Sequence, residues 1–267
     1  MLSVYSFSEQ AIVDFCEVTH DHNVVHDPQF MKSQGKKAVV PGMLILSKAI
    51  GMAEEIIRKG ANTFHLFLNS MVGANEPLTI GYKVLERTPI KAEIIARNSK
   101  DTLSHKGNSS IIYKRNQVIN DRPFGQHRSL ETKSMQIESF SNQIALKENP
   151  LGAILFSIAY ASHSLFQAIE KPISNIEKEI QSYLNKDDQN DKQSPFYQSI
   201  LIHLPDQIHV PIGGVPLDYF IHFERIKEGR TYGAQVFCTQ NGEEVYSSYY
   251  VLTAIPDRLI MRMAPNL

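Results

Sequence analysis

Apolar and polar residues follow helical patterns over the first part of the chain. The apolar residues of 11–16 fall on one helical face, after a capping-box spacing at Ser6 and Glu9. We expect this helix to end near Thr19. Further along, "DPQFMKS" (27–33) begins with an aspartate followed by a proline, which predicts the N-cap and first turn of a short helix.

A buried helix followed by strands is predicted next. The segment "VVPGMLILSKAIGMAEEIIRKG" (39–60) is apolar almost all round from Pro41-Gly42 until Glu54, which is typical of a helix inside the core. After Gly60 the pattern changes to that of strands separated by turn residues, at 63–70, 78–86, 90–97 and 108–115. A buried helix followed by antiparallel strands is an α+β pattern.

The same order recurs in the second half. "NPLGAILFSIAYASHSLFQAIEK" (149–171) is a second apolar helix, begun by an asparagine and a proline, and the polar segment 184–195 indicates a surface insertion. Strands are predicted at 215–226, 231–240 and 244–255, with Asn241-Gly242 as a hairpin turn. We therefore expect two copies of one α+β unit, 1–120 and 149–267, joined by a polar, aperiodic linker at 121–148.

The composition narrows the class of protein. Of 267 residues, 42% are hydrophobic and 21% are charged, as in ordinary globular proteins. The net charge is −1 with both signs mixed, which gives no electrostatic reason to expect nucleic acid or an anionic membrane as a partner. Cys16 and Cys238 have no CxxC neighbour and are interpreted as buried thiols of a reducing compartment.

No targeting or membrane segment is expected. The first residues, "MLSVYSFSEQ", lack a basic region followed by an apolar run, so no signal peptide is predicted. The longest apolar stretch, "LGAILFSIAYA", is interpreted as too short to span a bilayer. A cytoplasmic location follows as the expectation.

One short stretch, "THDHNVVHD" (19–27), is unusually dense in titratable groups, with three histidines and two aspartates. A metal site is one interpretation, since His20, His22 and His26 have spacings that allow convergence on zinc. The stretch follows a helix rather than a strand, however, and no later cluster supplies further ligands, so we expect no metal. A solvated loop is the second interpretation and is favoured for His20 and His22, as it is for His65, His105 and His127.

The third interpretation rests on residue order. "DHNVVH" has Asp21, Asn23 and His26 at Asp-x-Asn-x-x-His spacing, and "VVPGMLILSKA" has Gly42 and Met43 where the buried helix begins. This order resembles the MaoC-like (R)-specific enoyl-thioester hydratase and dehydratase family, over about the first 60 residues. The family's proline inside the motif is replaced by Val24, and the histidine before its Gly-Met is replaced by Pro41, so any contact of that histidine is absent here.

The resemblance implies an α+β double hotdog, in which two antiparallel sheets each wrap around a long central helix. It implies that Asp21 and His26 are the acid/base pair, and that the Gly42 N–H is the oxyanion donor. Asn23 and Met43 would bind the substrate, with Asn23 also holding the loop. The implied reaction interconverts (3R)-hydroxyacyl and trans-2-enoyl thioesters of coenzyme A or acyl carrier protein. The family needs no cofactor, and the resemblance allows for a homodimer.

The second half has no such motif. Its helix carries His163, which we interpret as a core or interface histidine. We expect this half to be degenerate and widened to hold the acyl chain. Lys32, Lys36 and Lys37 are expected near the entrance of the site, where they would meet a phosphate or an acidic carrier helix, although such a cluster is more often a solvated face.

Two alternatives to a hydratase stay open. A hotdog thioesterase would use a carboxylate to activate water against the thioester carbonyl. A non-catalytic acyl-binding partner subunit would only hold the thioester. The Asp-x-Asn-x-x-His order before a Gly-Met helix favours the hydratase, because adding water across a double bond needs a carboxylate and an imidazole that share one water.

Overall fold

The computed structural model describes residues 2–60, 62–68, 70–87, 90–98, 103–110, 123–184, 193–226 and 231–267. The first half contains β1 (Leu2–Tyr5), α1 (Glu9–Thr19), a 3₁₀ turn (Val24–His26), α2 (Pro28–Ser33), α3 (Gly42–Met52), α4 (Glu54–Arg58), β2 (Thr63–Leu68), β3 (Leu78–Arg87), β4 (Ile90–Asn98) and β5 (Leu103–Ser110). The second half contains β6 (Gln126–Leu130), α5 (Ser134–Gln143), α6 (Pro150–Glu170), α7 (Asn175–Leu184), β7 (Gln193–His203), β8 (Leu217–Arg225), β9 (Thr231–Gln240), β10 (Glu243–Pro256) and α8 (Asp257–Met263).

The described strands form one antiparallel sheet in the order β1-β3-β4-β5-β2-β7-β10-β9-β8-β6. From the outer edge to the centre of the sheet, the first half has the order β1-β3-β4-β5-β2 and the second half has the order β6-β8-β9-β10-β7. Strands at equivalent places therefore follow each other along the chain in the same way, and the halves meet through the antiparallel pair β2–β7. That pair runs in register from Thr63 opposite His203 to Phe67 opposite Ser199. The halves are therefore related by a pseudo-two-fold axis. The predicted double hotdog is confirmed, with the difference that its two sheets are joined edge to edge.

Helices α3 and α6 are the central helices of the two halves. Residues 43–51 of α3 are buried, as is most of α6, because both segments are apolar on nearly all faces. Helix α6 has 21 residues and is long and apolar enough to cross a membrane, but 83% of its apolar window is buried inside the protein. The expectation that this stretch is too short was therefore wrong, and it is burial that identifies α6 as a core helix.

Local sequence signals located most of these elements. Helix α1 ends at Thr19 as predicted, but its N-cap is Ser8, whose Oγ accepts a hydrogen bond from the Ala11 N–H at 3.1 Å. The predicted capping box at Ser6 was wrong. Asn241 and Gly242 have φ values of 54° and 83° between β9 and β10, as the hairpin prediction requires.

The prediction that residues 121–148 are an aperiodic linker was wrong, because this segment contains β6 and α5. Helix α5 escaped detection because few of its side chains are buried, chiefly Phe140. Strand β7 was not predicted either. Residues 111–115 of the strand predicted at 108–115, and 185–192 of the predicted insertion, lie outside the described residues. The division of the chain into two units at this segment stays a prediction.

The core between α6 and the sheet of the second half is closely packed. Tyr219 and Tyr246 are fully buried, and both hydroxyls donate to the carbonyl of Ser157 on α6, at 2.8 and 3.3 Å. The fully buried ring of Phe156 stacks on Tyr160. The expectation that this half is widened to hold the acyl chain stays a prediction.

Candidate active site

The dense polar stretch leaves α1 through a left-handed turn. His20 caps the helix with a φ of 53°, and its N–H donates to the carbonyl of Cys16. The N–H of Asp21 donates to the same carbonyl at 3.1 Å. Positive φ is uncommon for a non-glycine residue, so this turn is a specific local feature. It ends the helix at Thr19 and begins the loop that carries Asp21.

Asn23 holds this loop in shape. Its N–H donates to Oδ1 of Asp21 at 3.1 Å, and its own Oδ1 accepts from the N–H of Val25 at 3.3 Å, which caps the 3₁₀ turn. The turn brings His26 back towards Asp21, so that Nε2 of the imidazole lies 3.6 Å from Oδ2 of the carboxylate. This distance is within the roughly 3 to 6 Å expected of two groups that share one water. Both side chains are largely buried, with exposures of 11% for His26 and 16% for Asp21.

The hydrogen bonds of His26 determine its tautomer. Nδ1 lies 2.7 Å from the carbonyl oxygen of Val39. Because a carbonyl only accepts, Nδ1 carries a hydrogen, and in the Nδ1–H tautomer Nε2 presents a lone pair towards Asp21. Val39 is itself fixed, since its N–H donates to the carbonyl of Val25 at 2.8 Å. The carboxylate and the imidazole therefore present two acceptors to the same space.

Helix α3 begins beside this pair with no side-chain cap. Its N-cap is Pro41, which forms no side-chain cap hydrogen bond, and the carbonyl of Pro41 accepts from the N–H groups of Leu44 and Ile45. The N–H groups of Gly42 and Met43, in the first turn, have no acceptor within the helix. A helix start with free N–H groups favours negative charge, so this one can hold an oxyanion.

A cavity of about 90 Å³ joins these parts. All five predicted site residues line it, namely Asp21, Asn23, His26, Gly42 and Met43. The second half contributes residues of α6 and the start of β7 to the same wall, including Ser162, Phe166 and Tyr197. The site therefore lies where the two halves meet, just beyond the last β2–β7 pair. Sequence reasoning missed this contribution of the second half, because no local motif marks it.

The other histidines of the stretch lie apart from this pair. The ring of His20 packs against that of His163 on α6, with centroids 5.1 Å apart, and His22 is exposed. Burial, and then the neighbouring His22, lowers the pKa of His20, and burial followed by His20 lowers the pKa of His163. Among the residues that the structure describes, no group of three or more histidine, cysteine, aspartate or glutamate side chains is arranged to hold a metal ion. Independence from metal stays a prediction.

Cys16 and the lysines near the site have other roles. Burial, with the Asp21 carboxylate as a second cause, raises the pKa of the Cys16 thiol far above its usual range, so this thiol is not a nucleophile at neutral pH. Lys36 donates to the carbonyl of Ala264 and to Asn266, at 3.1 and 2.7 Å. Lys37 pairs with Glu76 at 3.6 Å. The expected basic entrance is thus reduced to the exposed Lys32.

Comparisons of the sequence with known proteins find no match, whereas comparisons of the structure agree on the fold. No family model matches the sequence, and no curated protein is significantly similar to it. A MaoC-like dehydratase structure is similar at a TM-score of 0.58 and 7% identity, over 94% of this chain and 95% of that one. A conserved hypothetical protein of Mycobacterium tuberculosis, described as a double hotdog, has a TM-score of 0.56 and 9% identity, over 96% of each chain.

A third similar structure is a longer protein. Full-length peroxisomal multifunctional enzyme type 2 of Drosophila melanogaster has a TM-score of 0.56 and 11% identity, over 95% of this chain and 48% of that one. This chain therefore spans about half of that protein. At such low identities the similarity shows the double-hotdog fold.

Proposed function

We propose that this double-hotdog protein is a hydratase or dehydratase that interconverts (3R)-hydroxyacyl and trans-2-enoyl thioesters. The observation that carries the proposal is the pairing of Asp21 and His26, with Nε2 and Oδ2 3.6 Å apart, in one cavity with the uncapped start of α3. Neither feature alone indicates a reaction. Together they supply two proton acceptors and an oxyanion site, as addition of water to an enoyl thioester requires.

Hydration adds the oxygen of a water molecule to C3 of the enoyl thioester and a proton to C2. A water held between Asp21 and His26 donates one hydrogen to Oδ2 and the other to Nε2, so its lone pair is free to attack C3. As the C–O bond forms, Nε2 of His26 takes a proton from the water. The imidazolium then gives this proton to C2 on the same face. Dehydration is the reverse sequence, and both directions leave the enzyme unchanged.

Negative charge develops on the thioester oxygen as water attacks C3. The N–H of Gly42 donates to this oxygen, and the adjacent Met43 N–H lies in the same helix turn. Donors fixed before the reaction are more effective than water, which must reorient, and each is typically worth about 10²–10³-fold in rate. The side chain of Met43 contacts the acyl group, and Asn23 keeps Asp21 and the 3₁₀ turn in register.

The proposed substrate is a thioester of coenzyme A or of acyl carrier protein, and the chemistry calls for no cofactor. A cytoplasmic location and a homodimer remain predictions from the sequence. The alternatives differ in the bond that changes: a thioesterase breaks the carbon–sulfur bond, whereas an acyl-binding subunit changes none.

The test uses crotonyl-coenzyme A and the purified protein, followed in two ways. Hydration removes the ultraviolet absorbance of the conjugated enoyl thioester without releasing free thiol. We expect loss of absorbance with no thiol release, both with and without a metal chelator. Release of thiol at the same rate as the loss of absorbance would identify a thioesterase. Unchanged absorbance, with either the coenzyme A or the carrier-protein substrate, would leave only the binding role.

A further inference from the structure

Strand β7 contains a bulge next to the candidate site. In its pairing with β10, Ser199 lies opposite Val251, but the next pair is Tyr197 with Leu252, so Gln198 is an extra residue in the ladder. Side chains of a regular strand alternate between faces, and residues 197 and 200 would then point to opposite sides of the sheet. A bulge changes this alternation and can redirect a side chain beside an active site.

The bulge turns Tyr197 to the inner face of the sheet. Ile200, which is fully buried, pairs with Tyr250, and Tyr197 pairs with Leu252, two residues further along the same strand. Tyr250 and Leu252 are both buried on the inner face, so Ile200 and Tyr197 lie there as well. The ring of Tyr197 packs on that of Tyr250 with centroids 5.5 Å apart, and Tyr197 lines the cavity that contains Asp21 and His26.

The Tyr197 hydroxyl is a buried donor without a well-aligned hydrogen bond. Its oxygen and that of the neighbouring Ser162 hydroxyl, in the same cavity wall, are buried, and neither has a partner of good distance and angle among the described residues. Burial raises the pKa of the Tyr197 phenol far above its usual range; a looser hydrogen-bonding contact with the Ser162 side chain opposes this shift, and Tyr250 and the Asp21 carboxylate reinforce it. The phenol therefore stays protonated. Buried hydroxyls without a well-aligned partner are uncommon in proteins, and this one, in the wall of the cavity, is available to donate to a bound molecule.

We propose that Tyr197, from the otherwise degenerate half, donates a hydrogen bond to the oxygen that moves between water and C3 of the substrate. The assignment rests on the proposed hydratase function. The donors and acceptors are complementary: Asp21 and His26 accept the two hydrogens of the water, and Tyr197 donates to its oxygen. In dehydration the same hydrogen bond stabilises the hydroxyl group as it leaves C3, and in the bound hydroxyacyl state it recognises the 3-hydroxyl. The phenol remains protonated throughout.

The kinetic test compares Tyr197→Phe with a matched variant, Tyr249→Phe. Both substitutions remove one phenol oxygen and keep the ring, but the Tyr249 hydroxyl donates to Glu224 at 2.6 Å and Tyr249 does not line the cavity. We expect Tyr197→Phe to lower kcat for crotonyl-coenzyme A by about 10- to 100-fold, the usual worth of a hydrogen bond to an oxygen that carries charge. Tyr249→Phe should stay within about twofold of the wild type, because its hydroxyl is remote from the reaction. Equal rates in the two variants would overturn the role of Tyr197.

A binding test separates this role from turnover and from a merely structural effect. Amide analogues of (3R)-hydroxybutyryl- and butyryl-coenzyme A, with nitrogen in place of the thioester sulfur, resist both dehydration and hydrolysis. We expect the wild type to bind the hydroxyl analogue about 3- to 10-fold more tightly, the usual worth of one net hydrogen bond, and Tyr197→Phe to lose this preference. Affinities measured by calorimetry give both ratios.

The outcomes distinguish the two proposals. A wild type that prefers the hydroxyl analogue through Tyr197 but does not hydrate crotonyl-coenzyme A retains the Tyr197 contact and loses the hydratase assignment. A wild type that hydrates crotonyl-coenzyme A, with an unchanged preference in Tyr197→Phe, retains the hydratase and loses the contact. A wild type that neither hydrates crotonyl-coenzyme A nor binds either analogue overturns both proposals, and a wild type that hydrates but does not prefer the hydroxyl analogue overturns the Tyr197 contact alone.

Discussion

The starts of α3 and α6 are equivalent places in the two halves, but their chemistry differs. At the start of α6, Oδ1 of Asn149 accepts from the N–H of Leu151 at 3.0 Å, so the helix is capped by its own sequence. At the start of α3, Pro41 supplies no side-chain acceptor. The same fold can thus use a helix start either for stability, as in α6, or as a site for developing negative charge, as we propose for α3.

The segments that precede these two helices differ in length and in the side chains that they carry. Residues 144–149 connect α5 to α6 by a short turn, whereas residues 20–41 separate α1 from α3 and carry the Asp21–His26 pair. The first half thus has a long loop before its central helix that the second half lacks. The second half nevertheless forms part of the cavity wall through α6 and β7.

The largest effect on kcat should come from substitution of Asp21 or His26. Asp21→Asn keeps the shape of the side chain but removes the negative charge, and His26→Ala removes the proton carrier. Each should lower kcat by about 10²–10⁴-fold, the usual contribution of an acid/base group. The double variant should be little worse than the poorer single variant, since both groups act on one water. Steady-state kinetics with crotonyl-coenzyme A measures all three.

His22→Ala is the control for this series, because His22 is exposed in the same loop and is not part of the pair. It should retain kcat within about twofold, the ordinary effect of an exposed side chain. Four variants with the same activity would contradict the assignment of the pair. Circular dichroism of each variant shows whether the fold is intact.

Chain-length selectivity should follow from the small volume of the cavity that contains Asp21 and His26. The cavity has only about 90 Å³, and Phe166 of α6 lines it. Forcing extra methylene groups into a packed interior costs about 1–3 kcal/mol, so kcat/KM should fall about 10- to 100-fold from four-carbon to ten-carbon enoyl substrates. Phe166→Ala should reduce this ratio by enlarging the cavity. Leu165→Ala, on the buried core face of the same helix, is the control and should leave the ratio unchanged. A wild type that prefers the longer substrate would contradict the prediction.

Removing the cap of α6 should affect stability but not catalysis. Asn149→Ala leaves the N–H of Leu151 without its acceptor and should lower the free energy of unfolding by about 0.5–2 kcal/mol. Asn149→Asp retains an acceptor and should recover most of this loss. Urea unfolding gives the free energies, and kcat should be the same in all three proteins. A fall in kcat on loss of this cap would show that the two helix starts are not functionally distinct.

The smallest effect concerns pH. The pKa values of His20 and His163 are lowered in the folded protein, chiefly by burial, relative to about 6.5 in the unfolded chain. The unfolded chain therefore binds more protons below this pH, and stability that is complete above pH 6.5 is lost as the pH falls. Urea unfolding between pH 7.5 and 5.5 should show this loss, and His163→Gln should show less of it.

The control is a measurement at pH 8, where these histidines are neutral in both the folded and the unfolded chain. It gives the part of the change in the free energy of unfolding, on His163→Gln, that does not depend on pH. If the wild type and His163→Gln lost equal stability between pH 7.5 and 5.5, the histidine pair would not be the source of the pH dependence.

The parts of the fold that the sequence predicted are those with local causes. Asn241-Gly242 reveals a turn because these residues tolerate positive φ, and the helix at 150–170 shows itself through continuous apolar character. Strand β7 and helix α5 were missed because tertiary contacts, not local patterns, hold them in place. In β7 the bulge at Gln198 also breaks the alternation by which strands are recognised.

The residues of the candidate site also divide into those that the sequence predicted and those that it did not. The spacing of Asp21, Asn23 and His26 was visible because one short loop holds all three, and Gly42 followed from the start of the next buried helix. Tyr197 was invisible, because its place in the cavity depends on the meeting of the two halves and on a bulge. A single sequence carries no local signal for either.

Water that adds to C3 of the substrate between Asp21 and His26 leaves its oxygen in the product, so the fate of that oxygen distinguishes hydration from hydrolysis. Crotonyl-coenzyme A is incubated with the protein in water enriched in oxygen-18, and the products are analysed by mass spectrometry. We expect one heavy oxygen on C3 of intact 3-hydroxybutyryl-coenzyme A, with the label absent from the products of Asp21→Asn over the same time. Heavy oxygen in a free carboxylate, with release of coenzyme A, would contradict this expectation.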